Sequence, residues 1–241
     1  MENKISDQDL LLLKAKYRNI KPILKKIEKG YPIQYLIGNV NFCGCKINVN
    51  KHTLIPRFET EYLVEKTIKY IKKLNLNKSS VLEVGTGSGC ISIILKKELK
   101  TLEITSIDIS KKALKVASKN AKLNKVKINF IKKDVFKFNL INKYDILISN
   151  PPYILPKDKD KKLKYEPKKA LYADNTGLNY YKQIFKIASK SLNPKFLIAL
   201  EIEETMGDKI KEVSKDYFKD VVIKLEKDLA GKNRYIFIYT E

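Results

Sequence analysis

The 241-residue chain has few of the residues that serve metal or nucleophilic chemistry: three cysteines, Cys43, Cys45 and Cys90, and one histidine, His52. Cys43 and Cys45 stand two apart with no second pair, so no zinc-ligand spacing is present and no metal is expected. The odd thiol count speaks against a disulfide framework, and free thiols, buried or half-buried, are expected. One histidine formally permits a Ser-His-Asp triad, but the Gly-x-Ser-x-Gly elbow is missing. No apolar run approaches the roughly 20 residues of a membrane helix. Met1-Glu2-Asn3-Lys4 does not lead into a signal-peptide core, because the run from Leu10 to Leu13 is short and Lys14 interrupts it. A cytoplasmic protein without membrane contact is expected.

Arginine is scarce as well. Arg18, Arg57 and Arg234 are the only three among 49 basic residues, and the formal net charge is +22. A basic field attracts nucleic acid and acidic partners, so proximity to the ribosome or RNA is one expectation. Abundant Lys, Asn and Ile also look like AT-rich coding bias, and the residue suited to bidentate phosphate recognition is nearly absent. Both readings stay open.

Hydrophobic residues make up 44% and aromatics 10%, which supplies a sizeable core and excludes a disordered chain. Residues 6–29 read as mostly helical, with Ser6 as a cap and Pro22 kinking or splitting the stretch. Gly30 and Pro32 stop it. Residues 35–49 read as a short hairpin punctuated by Gly38 and Gly44, and 60–74 as an amphipathic helix. From Ser80 onward, short apolar strands (81–84, 103–108, 128–132, 144–149 and 196–201) alternate with helices (90–99, 111–124, 178–192 and 205–218). That alternation predicts a mostly parallel sheet covered on both faces. Two last strands, 221–227 and 235–239, flank a glycine turn and are placed to pair antiparallel at one edge, which gives seven strands. Residues 157–169 read as a charged loop. The expected organisation is a helical segment over 1–30, a hairpin linker over 31–55 and a catalytic domain over 56–241.

Val81-Leu82-Glu83-Val84-Gly85-Thr86-Gly87-Ser88-Gly89 is a strand running into a glycine turn and then a helix. Its G-x-G-x-G spacing differs from the G-x-G-x-x-G of dinucleotide sites, and no Lys-Ser/Thr pair follows to make a phosphate loop. Glu83 inside the strand suits a ligand without phosphate but with a cationic methionine end, held directly or through water. Asp108 ends the next strand, where a ribose diol would lie at the carboxyl edge of an open sheet. Asp134, or the backbone there, can accept an adenine amino group, and Val135 or Phe136 can pack on the ring.

The fourth strand runs into Asn150-Pro151-Pro152-Tyr153. The prolines stiffen the backbone and offer carbonyls without competing N–H donors. The Asn150 side-chain oxygen and the Pro151 carbonyl can each accept one N–H of a substrate NH2, holding its lone pair toward an electrophile. Tyr153 offers an aromatic face to a planar group.

With these residues in place, the chain resembles the release-factor glutamine methyltransferases, the HemK/PrmC family. The similarity runs from about Tyr31 to the C-terminus. It is carried by Pro32-Ile33-Gln34-Tyr35-Leu36-Ile37-Gly38, by Leu54-Ile55-Pro56-Arg57-Phe58-Glu59-Thr60-Glu61, by Glu166-Pro167 with Ala170-Leu171 and Gly177-Leu178, and by Asp228-Leu229-Ala230-Gly231-Lys232-Asn233-Arg234. The signature around Pro56 is the most specific of these. The resemblance implies a Rossmann-like class I methyltransferase fold and S-adenosyl-L-methionine as cofactor, contacted by Gly85, Thr86, Gly87, Ser88, Gly89, Asp108, Val135 and Asn150, and the reading of the residues adds Glu83 and Asp134 to that set. It implies a release factor as partner, with Asn150, Pro151, Pro152 and Tyr153 holding the glutamine of its Gly-Gly-Gln loop and methylation at the amide nitrogen. The chain departs from the family pattern at Phe58, usually proline, at Val135, often aromatic, and at Glu203 of Glu201-Ile202-Glu203, more often glycine. The family's N-terminal helical domain is also longer than the segment before Tyr31. The alternative activity is methylation of an exocyclic amine of RNA or DNA, with Tyr153 stacking on a flipped base.

Overall fold

Proline and glycine set the boundaries of the leading elements. In this computed structural model, which describes residues 5–137 and 142–241, α1 spans Asp7–Lys16 and α2 spans Lys21–Glu28. The Ser6 hydroxyl caps α1 by accepting from the Asp9 N–H at 3.1 Å. Pro22 lies in the first turn of α2, where no intrahelical donor is needed, and the stretch is split there. Residues 1–4, read above as lacking a signal peptide, lie outside the described residues.

Pro32 precedes α3, Ile33–Ile37, and Gly38 ends it at φ 93°. The hairpin is therefore shorter than expected over 35–49: β1 (Asn39–Phe42) pairs antiparallel with β2 (Cys45–Asn48), while Tyr35 to Ile37 are helical. A left-handed glycine closing one helical turn overrides the strand preference of Tyr35 and Ile37. Leu13, Ile23, Ile27 and Leu36 form a small apolar cluster of their own among these helices. Three polar bonds converge on the end of α3. The Lys16 ammonium donates to the carbonyls of Leu36 and Ile37 at 2.9 and 2.8 Å, and the Tyr17 hydroxyl donates to that of Leu36 at 2.9 Å.

The remaining elements are α4 (Phe58–Lys73), β3 (Ser80–Val84), α5 (Cys90–Glu98), β4 (Glu103–Asp108), α6 (Lys111–Leu123), β5 (Asn129–Lys132), β6 (Tyr144–Ser149), α7 (Lys168–Leu171), α8 (Asn179–Ser191), β7 (Leu192–Glu201), α9 (Gly207–Lys215), β8 (Val222–Lys227) and β9 (Asn233–Tyr239). The charged stretch 157–169 is mostly irregular, with two single 3-10 turns, and α7 begins at its end.

Seven strands form one sheet in the order β5-β4-β3-β6-β7-β9-β8. β3 to β7 run parallel, and β9 pairs antiparallel with β7 and with β8, the edge arrangement that the sequence implied. Alternate strand residues face opposite layers. Val81, Ile104, Ile146 and Leu197 pack with α4 and α5 on one face, and Leu82, Ile107, Leu147 and Ile198 pack with α8 and α9 on the other. Cys45 and Cys90 are buried free thiols, and Cys43 is half-buried. Among the described residues, no helix is long and apolar enough to cross a membrane. The parallel strands all deliver their carboxyl ends to one edge, and there Gly85, Asp108, Asp134 and Asn150 leave the sheet.

Candidate functional site

The glycine turn is held by its neighbour strand. The Gly85 and Thr86 N–H groups both donate to the Ile107 carbonyl, at 2.9 and 3.1 Å. The Gly87 N–H donates to Asp108 Oδ2 at 2.9 Å, and the Ser110 N–H donates to Asp108 Oδ1 at 2.7 Å. Each Asp108 oxygen thus keeps acceptor capacity. Burial pushes its carboxyl above the usual range, against the pull of those two N–H groups.

Gly85, Gly87 and Gly89 all have positive φ, but they serve different ends. A Cβ at Gly87 would meet nothing within 4 Å, and one at Gly85 would meet only the Asn150 carbonyl at 3.9 Å. A Cβ at Gly89 would lie 3.0 Å from the Ala117 Cβ, so Gly89 allows α5 and α6 to approach closely.

Glu83 lies wholly buried behind the turn. Its Oε2 accepts from the Ser106 hydroxyl at 2.5 Å and from the Ser92 hydroxyl, while Oε1 has no hydrogen-bond partner among the described residues. Desolvation pushes its carboxyl up to about 7.

The proline turn after β6 is held differently. Ser149 donates its hydroxyl to the Val84 carbonyl at 2.7 Å, which ties the turn to β3. The Asn150 amide donates through Nδ2 to Thr60 Oγ1 at 3.0 Å, and Thr60 Oγ1 donates to Glu201 Oε2 at 2.8 Å. The Tyr153 hydroxyl donates to Glu201 Oε1 at 3.2 Å. Glu201 is 1% exposed, and desolvation pushes its carboxyl up to about 7. Burial also pushes the Tyr153 phenol up.

A cavity of about 490 Å³ opens over these strand ends. Of the residues singled out from sequence, Gly85, Gly87, Asp108, Asp134, Val135, Phe136, Asn150, Pro151 and Pro152 line it. A pocket of about 100 Å³ adjoins it, lined by Asn150, Pro151 and Tyr153 with Leu54, Arg57 and Leu171. Asn150 and Pro151 therefore stand at the junction of the two. Glu83, Thr86, Ser88 and Gly89 do not line the cavity. The Thr86 and Ser106 hydroxyls bond each other at 2.7 Å, and Asn120 Nδ2 donates to the Ser88 carbonyl at 2.9 Å. These four residues are buried behind the turn. The Val135 carbonyl accepts from Gln183 Nε2 at 2.8 Å, and Phe136 packs edge-on against Tyr180, which also lines the cavity.

Sequence reasoning did not single out Thr60, Glu201 or Glu166 as working parts of the site. Glu166 is 5% exposed; it pairs with the Arg57 guanidinium and accepts from the Ile55 N–H at 3.0 Å. That clamp fastens the chain between β6 and α7 to the segment before α4, beside the small pocket. All three residues lie within the segments compared with the family above, but their mutual contacts depend on topology.

The chain is similar to known proteins in sequence and in fold. The family model of the methyltransferase small domain matches residues 60–167. The release factor glutamine methyltransferase of Flavobacterium psychrophilum is 40% identical over 222 residues, 89% of this chain and 77% of that protein. That of Lactococcus lactis is 35% identical over 99% of this chain and 86% of its own length. A methyltransferase structure from Pyrococcus furiosus superposes with a TM-score of 0.59 at 19% identity, over 81% of this chain and 88% of that one. The protein-(glutamine-N5) methyltransferase of Alicyclobacillus acidocaldarius superposes with a TM-score of 0.51 at 22% identity, over 78% and 94%. The two solved structures bear on the fold alone.

Proposed function

Because the chain belongs to the release factor glutamine methyltransferase family, we propose that it transfers a methyl group from S-adenosyl-L-methionine to the side-chain amide nitrogen of a glutamine, the one in the Gly-Gly-Gln motif of a peptide-chain release factor. The observation that carries this reading is the position of Asn150 and Pro151, which line both the large cavity and the small pocket beside it.

The residues present fit such a cofactor. The glycine turn leaves open space where a Cβ at Gly87 would stand, and Asp108 keeps free lone pairs on the cavity wall. When bound, the cofactor would supply its sulfonium methyl carbon to the amide nitrogen, with the carbon–sulfur bond breaking, S-adenosylhomocysteine leaving and one N–H proton passing to water. Asp108 would accept from the ribose hydroxyls, Asp134 or the backbone beside it would accept from the adenine amino group, and Val135 or Phe136 would pack on the ring. Glu83 acts from behind the turn and not by direct contact.

In the small pocket the Asn150 side-chain oxygen and the Pro151 carbonyl accept the two N–H bonds of the glutamine NH2. An amide lone pair is delocalised, so this two-point grip has to fix the nitrogen's orientation, and such alignment supplies several kcal/mol of a barrier. Tyr153, anchored through its hydroxyl, packs beside the flat amide. The reading places the chain in the cytoplasm, where its basic surface lies close to ribosomal RNA while the release factor is engaged.

The test is mass spectrometry of the Gly-Gly-Gln peptide after the chain is incubated with a purified release factor and S-adenosyl-L-methionine. One added methyl on the glutamine is expected. Transfer of label to tRNA or rRNA with none to the release factor would reject the reading.

A further inference from the structure

Asn150 works only if its amide presents oxygen to the cleft, and an asparagine amide has two nearly isosteric ends. The protein needs a device that fixes which end faces out. β6 and β7 are adjacent parallel strands in register, with Ser149 opposite Leu200, so Asn150, just past β6, and Glu201, the last residue of β7, stand side by side. Thr60, in the first turn of α4 and 3% exposed, stands between them.

A hydroxyl carries one proton. With Glu201 as the carboxylate, which can only accept, the Thr60 proton is committed to Glu201 Oε2 at 2.8 Å, so Thr60 Oγ1 can only accept from Asn150. It accepts from Nδ2 at 3.0 Å, and that turns the Asn150 oxygen the other way. The second Glu201 oxygen receives the Tyr153 hydroxyl at 3.2 Å, so one carboxyl steadies both ends of the four-residue turn. The Tyr181 hydroxyl donates to the Glu201 carbonyl at 3.1 Å and holds the glutamate's own backbone.

We propose that Glu201 is a positioning residue that acts through Thr60 to set the sense of the Asn150 amide, so that an acceptor and not a donor faces the substrate nitrogen. The inference rests on the methyl transfer to a glutamine amide argued above. Replacing Glu201 by glutamine keeps the shape and breaks the logic. The new NH2 can donate to Thr60, which frees the Thr60 proton to bond the Asn150 oxygen. The amide then turns over and sets NH2 against NH2. Replacing Thr60 by valine removes the relay, and serine restores it.

The experiment compares Glu201→Gln, Thr60→Val and Thr60→Ser in the full chain. It measures kcat and KM on a release factor, affinity for S-adenosylhomocysteine by calorimetry, and hydrogen exchange of the Asn150 side-chain amide protons in 15N-labelled protein. Glu201→Gln and Thr60→Val should each lower kcat about 100-fold, as for loss of one oriented polar contact in the transition state. S-adenosylhomocysteine affinity should stay within about threefold of wild type, and Thr60→Ser should recover most of the turnover. A structural role alone would lower affinity along with turnover and would not separate serine from valine. The wild-type Asn150 amide protons should be protected, and Thr60→Val should expose them. Near-normal turnover in Glu201→Gln, equal loss in Thr60→Ser and Thr60→Val, or unprotected amide protons in the wild type would each overturn the relay. If Glu201→Gln does not fold, the two Thr60 variants decide. The exchange measurement stands even if the wild type leaves release factor unmethylated, in which case the substrate reading fails and the relay is judged separately.

Discussion

Glu83 on β3 and Glu201 on β7 flank β6, the strand that carries Asn150, and both are buried carboxyls pushed up to about 7. They brace neighbouring turns by different means. Glu83 gathers the Ser92 and Ser106 hydroxyls on one oxygen, from residues 9 and 23 positions away. Glu201 places one partner on each oxygen, Thr60 from 141 positions away and Tyr153 from 48. The glycine turn is thus a local unit completed within the consecutive elements β3, α5, β4 and α6. The proline turn is assembled from distant parts of the chain. Damage to the first should register in stability and cofactor affinity, and damage to the second in turnover.

The sharpest way to break this contrast is Asn150→Ala. It should lower kcat about 100- to 1000-fold, with cofactor affinity changed only a few-fold by calorimetry. A parallel loss of affinity would merge the two halves of the site.

Glu83→Gln comes next. A carboxyl raised from 4.5 to about 7 contributes stability that is fully present below its unfolded value and is lost as pH rises through about 7. The wild type should therefore weaken between pH 5 and 8, with Glu83 accounting for about 3 kcal/mol of the fall at most. In Glu83→Gln the slope should roughly halve, because Glu201 still titrates, while turnover at neutral pH changes little. Denaturant unfolding at several pH values measures it, and an unchanged slope would put the buried proton elsewhere.

The smallest effect separates the glycines of the turn. Gly89→Ala drives a Cβ against Ala117 and adds left-handed strain, costing about 2–3 kcal/mol. Gly87→Ala adds only the strain, about 1 kcal/mol, but places a methyl group in the cavity and should weaken cofactor binding. Equal stability losses would contradict their division of labour.

The strand and helix alternation was legible in sequence because buried parallel strands are short apolar runs and their helices are amphipathic. The expected ends at Asp108 and Ser149 coincide with β4 and β6. Gly85, Gly87, Asp108 and Asn150 were legible as cavity residues because the turn and the strand ends place them locally. Glu83 was harder to read, since whether a strand-end carboxylate faces a cleft or an interior layer depends on what packs behind it. The Thr60–Glu201 and Arg57–Glu166 pairs were not legible: each joins segments more than a hundred residues apart, and only the strand order brings them together. The short helix α3 was hidden because Tyr35 and Ile37 favour strands, whereas Gly38 fixes the local geometry.

The small cluster of Leu13, Ile23, Ile27 and Leu36 has a mechanical consequence. Four buried side chains and three bonds to the end of α3 hold the leading helices together, while the sheet is secured by two far larger apolar layers. Regions with thin cores open at lower free energy than the body they rest on. The leading helices should therefore open at the Lys16 and Tyr17 bonds at lower free energy than the sheet that carries Asn150.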